Sequence, residues 1–534
     1  MPDLPWHSVF DKKNTTTNTG AFRVRTSKQQ KSARRKQRIQ ARLRPRSWAA
    51  PPTPMYTAHN IHYDLSTRTR GLDAGGIGMM HRLALHTGLV AAIDRHVQVL
   101  KVHLPYHESD HVLGLAYNSL CGGTCLQDIE QRRQDEVYLD ALGTQRIPDP
   151  TTAGDFCRRF DAASLEALQT AINETRVRVW QTQPAAFFDE AFIEADGTLA
   201  PTTGACKAGM DVAYDGTWGY HPLLVSLANT AEPLYVVNRS GNRPSSDGAA
   251  ARFDQALALC RDAGFRRVTF RGDTDFTQMG HLDRWDGAGV RFIFGTDARA
   301  NVVRTADALP AEAWTPLTRP VRHTVRTTPR ARPTDVKAAV VAERGFKNLR
   351  LDAEAVAEFP YQSTVCAQPY RMVVLRKHIA VEHGAERLFD QIRYFFYLTN
   401  DRTSTPAAIV FLANDRCHQE NLIDQLKHGV HAMRMPVDTL ISNGAYMVMA
   451  ALAWTLKAWF ALRLPVRGRW AARHRAEQHA VLHMEFKAFQ HAFIRVPAQV
   501  VRTSRRILFR LLAWNPWQAV LLRGSDHLRE PLRC

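Results

Sequence analysis

The hydrophobic period changes several times along the chain, and the changes divide it. Between about residues 73 and 183, apolar positions recur three and four apart, as on one face of a helix. LGLAYNSLCGG (113–123) predicts a helix stopped by paired glycines. IPDPTTAGDFCRRF (147–160) reads as a proline-marked turn entering a helix, with Asp149, Thr151 or Thr152 as N-cap. SLEALQTAINETRVRVW (164–180) is amphipathic. A compact helical domain follows, expected to include a helix-turn-helix-like element that reads DNA. Near Phe187 the period shortens. FFDEAFIEADGT (187–198), PLLVSLANT (222–230) and PLYVVNRSGN (233–242) predict three strands, and AAARFDQALALCRDAGF (249–265) a helix. RRVTFRGDTDF (266–276) predicts a strand, GHLDRWDGAG (280–289) a short helix and VRFIFGTD (290–297) a fifth strand. Three strands followed by alternating helix and strand predict an α/β core with a mixed sheet.

Residues 298–390 break this pattern. RPVRHTVRTTPRARP is basic and interrupted by proline, whereas YRMVVLRKHIAVE (370–382) alternates, so a β-rich insertion is expected. QIRYFFYLTND (391–401) returns as a strand, and 406–429 reads as one helix or two meeting near Asn414. The uncharged run Thr439–Leu456 just reaches the lower edge of the length that spans a membrane. It contains Asn443 and Gly444 and is followed by Lys457, which predicts a buried core helix and no membrane partner. Six segments result: a basic flexible tail (1–55), a helical DNA-binding domain (56–183), the first part of the core (184–297), the insertion (298–390), the second part of the core (391–462) and a basic helical C-terminal region (463–534).

Charge sharpens the reading. The 534 residues carry 70 Lys and Arg against 51 Asp and Glu, a net charge of +19. Residues 1–50 hold 13 basic and 2 acidic residues, and 463–534 hold 14 and 4, while the middle is close to neutral. Two basic ends on a neutral body point to a nucleic-acid partner, because each neutralised phosphate releases counterions. Eight cysteines are too sparse for a disulfide framework, and the N-terminus has no apolar secretory segment. A cytoplasmic, nucleoid-associated protein is expected.

Three acids are placed by local pattern: Asp196 ends the first strand, Asp273 follows the fourth, and Glu420 sits within a helix. Read singly, each is an ordinary turn or surface residue. Read together, carboxylates at strand ends and one from a helix packed on the sheet can bind hard divalent cations such as Mg²⁺. Two such ions stabilise both the attacking and the leaving oxygen of an in-line phosphoryl transfer.

The order strand-Asp, strand-Asp, helix-Glu resembles the RNase H-like DDE transposases. Arg416, Glu420 and Lys427 fit the R-x3-E-x6-K signature of bacterial insertion-sequence transposases with a β-rich insertion. LGLAYNSLCGGTCLQDIEQRR, IEADGT, GYHPLLVSL, RSGNRPS, RGDTDF and NGAYMVMAALAWTL resemble the group called IS thirteen-eighty. One departure stands out: where that signature has Tyr three residues before its Arg, this chain has Ala413. The resemblance implies an RNase H-like core in which Asp196, Asp273 and Glu420 are catalytic and hold Mg²⁺, with Mn²⁺ able to substitute. It also implies cleavage of transposon ends, transfer of the freed 3′-OH to target DNA, and a homodimer on double-stranded DNA. Arg416 and Lys427, on the Glu420 helix, would hold phosphates; Arg326, Arg330 and Arg332 of the insertion would line DNA, and Trp314 would stack on an unpaired base. The alternatives are a structure-specific Mg²⁺-dependent nuclease on the same core, which cuts without joining, and a catalytically silent DNA-binding descendant.

Overall fold

The computed structural model describes residues 19–43, 58, 60–64, 66, 69–204, 206–319, 340, 343–345, 347–384, 386–503 and 506–529. Arg326, Arg330 and Arg332 lie outside the described residues. Within the segment expected to be a flexible tail, Thr19–Leu43 forms a helix, α1. The helical part that follows runs through Glu108–Leu120 and Pro150–Arg158, the latter capped by Asp149, whose carboxylate accepts from the Thr152 amide at 2.9 Å. It ends in α2 (Ala162–Trp180).

One mixed sheet of nine strands organises the centre. Its strands in chain order are β1 (Ala191–Gly197), β2 (Leu223–Leu227), β3 (Glu232–Val237), β4 (Val268–Gly272), β5 (Arg291–Thr296), β6 (Thr315–Pro316), β7 (Lys347–Tyr361), β8 (Tyr370–His383) and β9 (Glu386–Thr399). They lie side by side in the order β6-β7-β8-β9-β5-β4-β1-β2-β3. β1, β2 and β3 are antiparallel neighbours, whereas β1, β4 and β5 run parallel. The parallel steps need crossovers, supplied by α3 (Ala249–Ala263) and α4 (Leu282–Gly287). Gly264 ends α3 at φ +105°, a conformation that glycine adopts without strain.

The insertion is not set apart from the core. β7, β8 and β9 form an antiparallel meander, and only Phe396–Thr399 of β9 pair with β5, so the long strands project beyond the core while continuing its sheet. The expected boundary at 390/391 therefore falls inside β9. Trp314 has the Arg376 guanidinium 3.8 Å over its ring, so one face of the indole is already occupied.

After β9 come α5 (Pro406–Asn414), α6 (Cys417–Asp424) and α7 (Leu440–Leu462). α7 is long and apolar enough to cross a membrane, yet it is buried throughout its hydrophobic window as the central helix of the core. The C-terminal region, expected to be helical, does hold helices at Ala471–Leu482, Phe486–Phe489 and Gln518–His527, and it also contains a hairpin of β10 (Ala498–Thr503) and β11 (Arg506–Leu511). Gly71–Leu72 adds a short third strand beside β10, and Arg502 reaches Asp140 at 3.0 Å. The C-terminal chain thus packs against the helical part rather than forming a unit of its own.

A buried ion pair locks the helical part to the core. The Glu232 carboxylate at the start of β3 accepts from Arg176 Nε (3.0 Å), Trp180 Nε1 (2.9 Å) and Trp459 Nε1 (2.8 Å). Arg176 also donates to the Pro233 carbonyl at 2.7 Å. Both charged side chains are essentially without solvent contact, a burial tolerable only because each is paired and hydrogen-bonded.

Candidate active site

Strand register brings the two aspartates together. β1 and β4 are parallel neighbours with Glu194 opposite Arg271. Two residues further on, Asp196 and Asp273 emerge side by side at the carboxyl ends of these strands. Adjacent strands lie about 4.8 Å apart, so the carboxylates cannot avoid each other's field. Local chemistry supports the placement. The Asp273 carboxylate accepts from the Asp275 amide at 3.2 Å and caps the single turn Thr274–Phe276. Gly272 makes room for that turn: a Cβ there would stand 2.7 Å from the Cβ of Phe276.

Arg416 spans the pair. Its Nη1 donates to Asp196 Oδ2 at 3.1 Å, and its Nη2 lies 3.5 Å from Asp273 Oδ2. Beneath this, the buried Arg271 lies 2.8 Å from Glu194 Oε1 and donates to the Leu412 carbonyl at 2.9 Å. That second contact ties β4 to the end of α5, just before the turn that carries Arg416.

Glu420 projects from α6, which is held on the sheet by its neighbour. Gln419, almost fully buried, is hydrogen-bonded to Ser226 of β2 and donates to the Leu224 carbonyl at 3.4 Å. Leu422 and Leu426 are buried, so the polar Glu420 is left on the open side. Glu420, Asp273 and Arg416 line one pocket of about 350 Å³, together with Ala413, Asn414, Asp297 and Tyr397. Among the described residues, no three His, Cys, Asp or Glu side chains are grouped closely enough to hold a metal. The Arg416 guanidinium lies between the aspartates, and Glu420 lines the same pocket as Asp273 and Arg416.

The helix expectation needs one correction. Arg416 and Lys427 flank Glu420 on one helical stretch, but not on a regular α-helix throughout. Arg416 is the N-cap residue of α6, and Lys427 belongs to a π-helical turn, Gln425–Gly429. Such turns alter the angular register of the residues after them. Lys427 is half-buried; burial lowers its ammonium below the usual lysine range, against the charges of Asp424 and then Asp196.

Asp297 and Tyr397 were not singled out from sequence, although Asp297 follows β5 as Asp273 follows β4. The Tyr397 hydroxyl, from β9, donates to Asn414 Oδ1 at 3.4 Å, and both residues line the pocket together with Ala413.

Burial raises the Asp196 carboxyl to about 6; the Arg416 charge opposes the rise and the Asp273 charge adds to it. Asp273 is likewise raised, by burial first, against Arg416 and with Asp275. A carboxyl whose folded value lies above its unfolded value of about 3.9 holds its proton more tightly in the folded state. Its contribution to stability is present below about pH 4 and is lost as pH rises through 6. Asp196→Asn is therefore expected to be more stable than wild type above pH 7 in chelator-treated protein, by up to about 3 kcal/mol. The advantage should shrink toward pH 4 in urea unfolding; an offset that is constant with pH would show that Asp196 carries no such burden.

These features define an α/β protein with a charged site at the carboxyl ends of adjacent parallel strands, where Arg416 bridges Asp196 and Asp273 and, with Asp273 and Glu420, lines a pocket. The chain belongs to the family described as Transposase DDE domain group 1, whose model matches residues 72–531. No curated protein matches the chain. Among solved structures, the cryo-EM structure of a piggyBac transposase synaptic complex with hairpin DNA is similar over 87% of this chain and 83% of that one, at 8% identity and a TM-score of 0.35.

Proposed function

We propose that this transposase cleaves insertion-sequence ends and transfers their 3′-OH groups to target DNA by in-line phosphoryl transfer, within an RNase H-like core of the R-x3-E-x6-K, IS thirteen-eighty type. The observation that carries the reading is the pairing of Asp196 and Asp273 on adjacent parallel strands beneath Arg416. The donor set fits Mg²⁺ in its chemistry: oxygen ligands only, and an Asp196 carboxyl raised by burial first and then by the Asp273 charge, with the Arg416 cation opposing both, so that a cation between the aspartates is favoured. Asp196 and Asp273 would hold it in the place Arg416 occupies between them, and Glu420 would join them only by α6 moving closer, since the three carboxylates are not grouped in this structure. When bound, Mg²⁺, or Mn²⁺ in its place, stabilises the charge that develops on the transferring phosphoryl group.

The chain's own residues set the rest. Arg416 neutralises the aspartates in the absence of DNA, and its guanidinium offers a fork suited to a phosphate. Lys427 adds a second cation on the Asp196 side. Glu420 enters from a helix that Gln419 fixes to β2. We further propose a homodimer on double-stranded DNA, since two ends must be joined in one complex, and a cytoplasmic, nucleoid-associated location.

Wild-type protein with Mg²⁺ and a duplex carrying a transposon end should both nick the end and join it to a target. Cutting without joining would identify a structure-specific nuclease, and binding with neither activity a silent DNA-binding protein. Arg416→Ala should weaken end binding as well as rate, with a loss that depends on salt.

A further inference from the structure

The nine basic residues of α1 have no acidic residue among them between positions 19 and 43. A helix composed in this way does not fold to bury a core of its own. It is held instead by the far end of the chain. Ser32 Oγ donates to Gln518 Oε1 at 3.2 Å, and Arg35 Nη1 donates to the Leu511 carbonyl, the last residue of β11, at 2.9 Å. Ser32, Arg35, Lys36 and Ile39 are half-buried, spaced as one helical face. Lys31, Arg34, Arg38 and Arg42 are all exposed, and their spacings of three, four and four residues align them as a second stripe beside the docked face. β11 continues the charge. Arg506 and Arg510 alternate with Leu508 on its exposed face, and Arg510 adjoins the Leu511 carbonyl that Arg35 holds. The two basic ends of the sequence therefore meet in one place.

We propose that the exposed stripe of α1 and the outer face of the β10–β11 hairpin together form a binding surface for the phosphate backbone of duplex DNA, separate from the pocket at Glu420. The inference rests on the transposase reading for its biological partner but not for its chemistry. α1 also lies outside the residues matched by the family. Like charges one turn apart along the stripe weaken an isolated helix, and a polyanion removes that penalty. From Lys31 to Arg42 the stripe spans about 16 Å, at about 1.5 Å per residue. Duplex DNA presents a charge about every 1.7 Å of its axis, so all four cations can find phosphates on one side of a single helical turn. An anionic membrane is the poorer fit. Between residues 30 and 42 the one large apolar side chain is Ile39, and it belongs to the docked face, whereas the exposed positions are basic, Gln or Ala.

The test is the salt dependence of duplex binding by the full-length protein without metal. Each lost phosphate contact lowers the slope of log K against log salt by about 0.9. A variant combining Lys31→Gln, Arg34→Gln, Arg38→Gln and Arg42→Gln should flatten the slope by about 3 to 4, and Arg506→Gln with Arg510→Gln by up to about 2 more. Thermal unfolding should show the first variant as folded as wild type. An unchanged slope in a variant that still folds overturns the proposal, as does an equal loss of binding to phosphatidylserine vesicles with none to DNA. Failure of the transposase reading looks different: wild type would bind steeply and neither cut nor join, with the surface still standing.

Discussion

Glu420→Gln is expected to lower end cleavage by about two to three orders of magnitude while leaving metal-free end binding near wild type. The substitution keeps volume and hydrogen-bonding capacity and removes the one negative charge that α6 sends into the pocket with Asp273 and Arg416. Lewis-acid stabilisation is worth several kcal/mol, and each step of about 1.4 kcal/mol is tenfold in rate. Binding without metal should hold or rise slightly, because one carboxylate fewer faces the phosphates. Asp424, one turn further along α6 and exposed, is the control. Asp424→Asn should leave cleavage largely intact, since Asp424 does not line the pocket. If Asp424→Asn abolished cleavage and Glu420→Gln did not, the third carboxylate would have to be reassigned. Lys427→Ala should differ from both, lowering affinity and rate together in a salt-dependent way.

The second large effect is on folding. Glu232→Gln should destabilise the protein by about 3–5 kcal/mol, read as a shift of the urea midpoint, because it leaves the buried Arg176 without its counter-charge. The same carboxylate receives the indole N–H groups of Trp180 and Trp459, so α2, β3 and α7 are loosened at once. A double variant, Arg176→Met with Glu232→Gln, should recover part of the loss, since the unpaired buried charge is then gone. If Glu232→Gln alone were neutral, the pair would not be the joint between the helical part and the core.

Much of the core was legible in the sequence for a local reason. The five central strands announce themselves by short apolar runs, and Asp196 and Asp273 by their positions at the ends of two of them. The turn at Asp149 and the stop at Gly264 are likewise consequences of side-chain and backbone chemistry within a few residues. The break between α5 and α6 near Asn414 follows from the polar Asn-Asp-Arg run that interrupts the apolar pattern.

What lay beyond the sequence depends on contacts far apart in the chain. That Arg416 would lie between the two aspartates depends on a contact across 220 residues, which no spacing encodes. The change from α- to π-helical winding before Lys427 has no apolar signature, because Gln425, Leu426 and Gly429 are buried by what packs around them. The insertion reads as a separate piece because its period differs, yet β9 joins it to β5 through four residue pairs that only the folded sheet brings into register. The C-terminal hairpin was hidden in the same way. β11 exposes Leu508 and turns Ile507, Phe509 and Leu511 inward, so its alternation is blurred on both faces until β10 lies beside it. The sequence by itself determined the five central strands, the helices between them and the acids at the strand ends, since these are set by neighbours along the chain. The tertiary structure alone decided which charges meet, because burial and ion pairing are settled between elements that are distant in sequence.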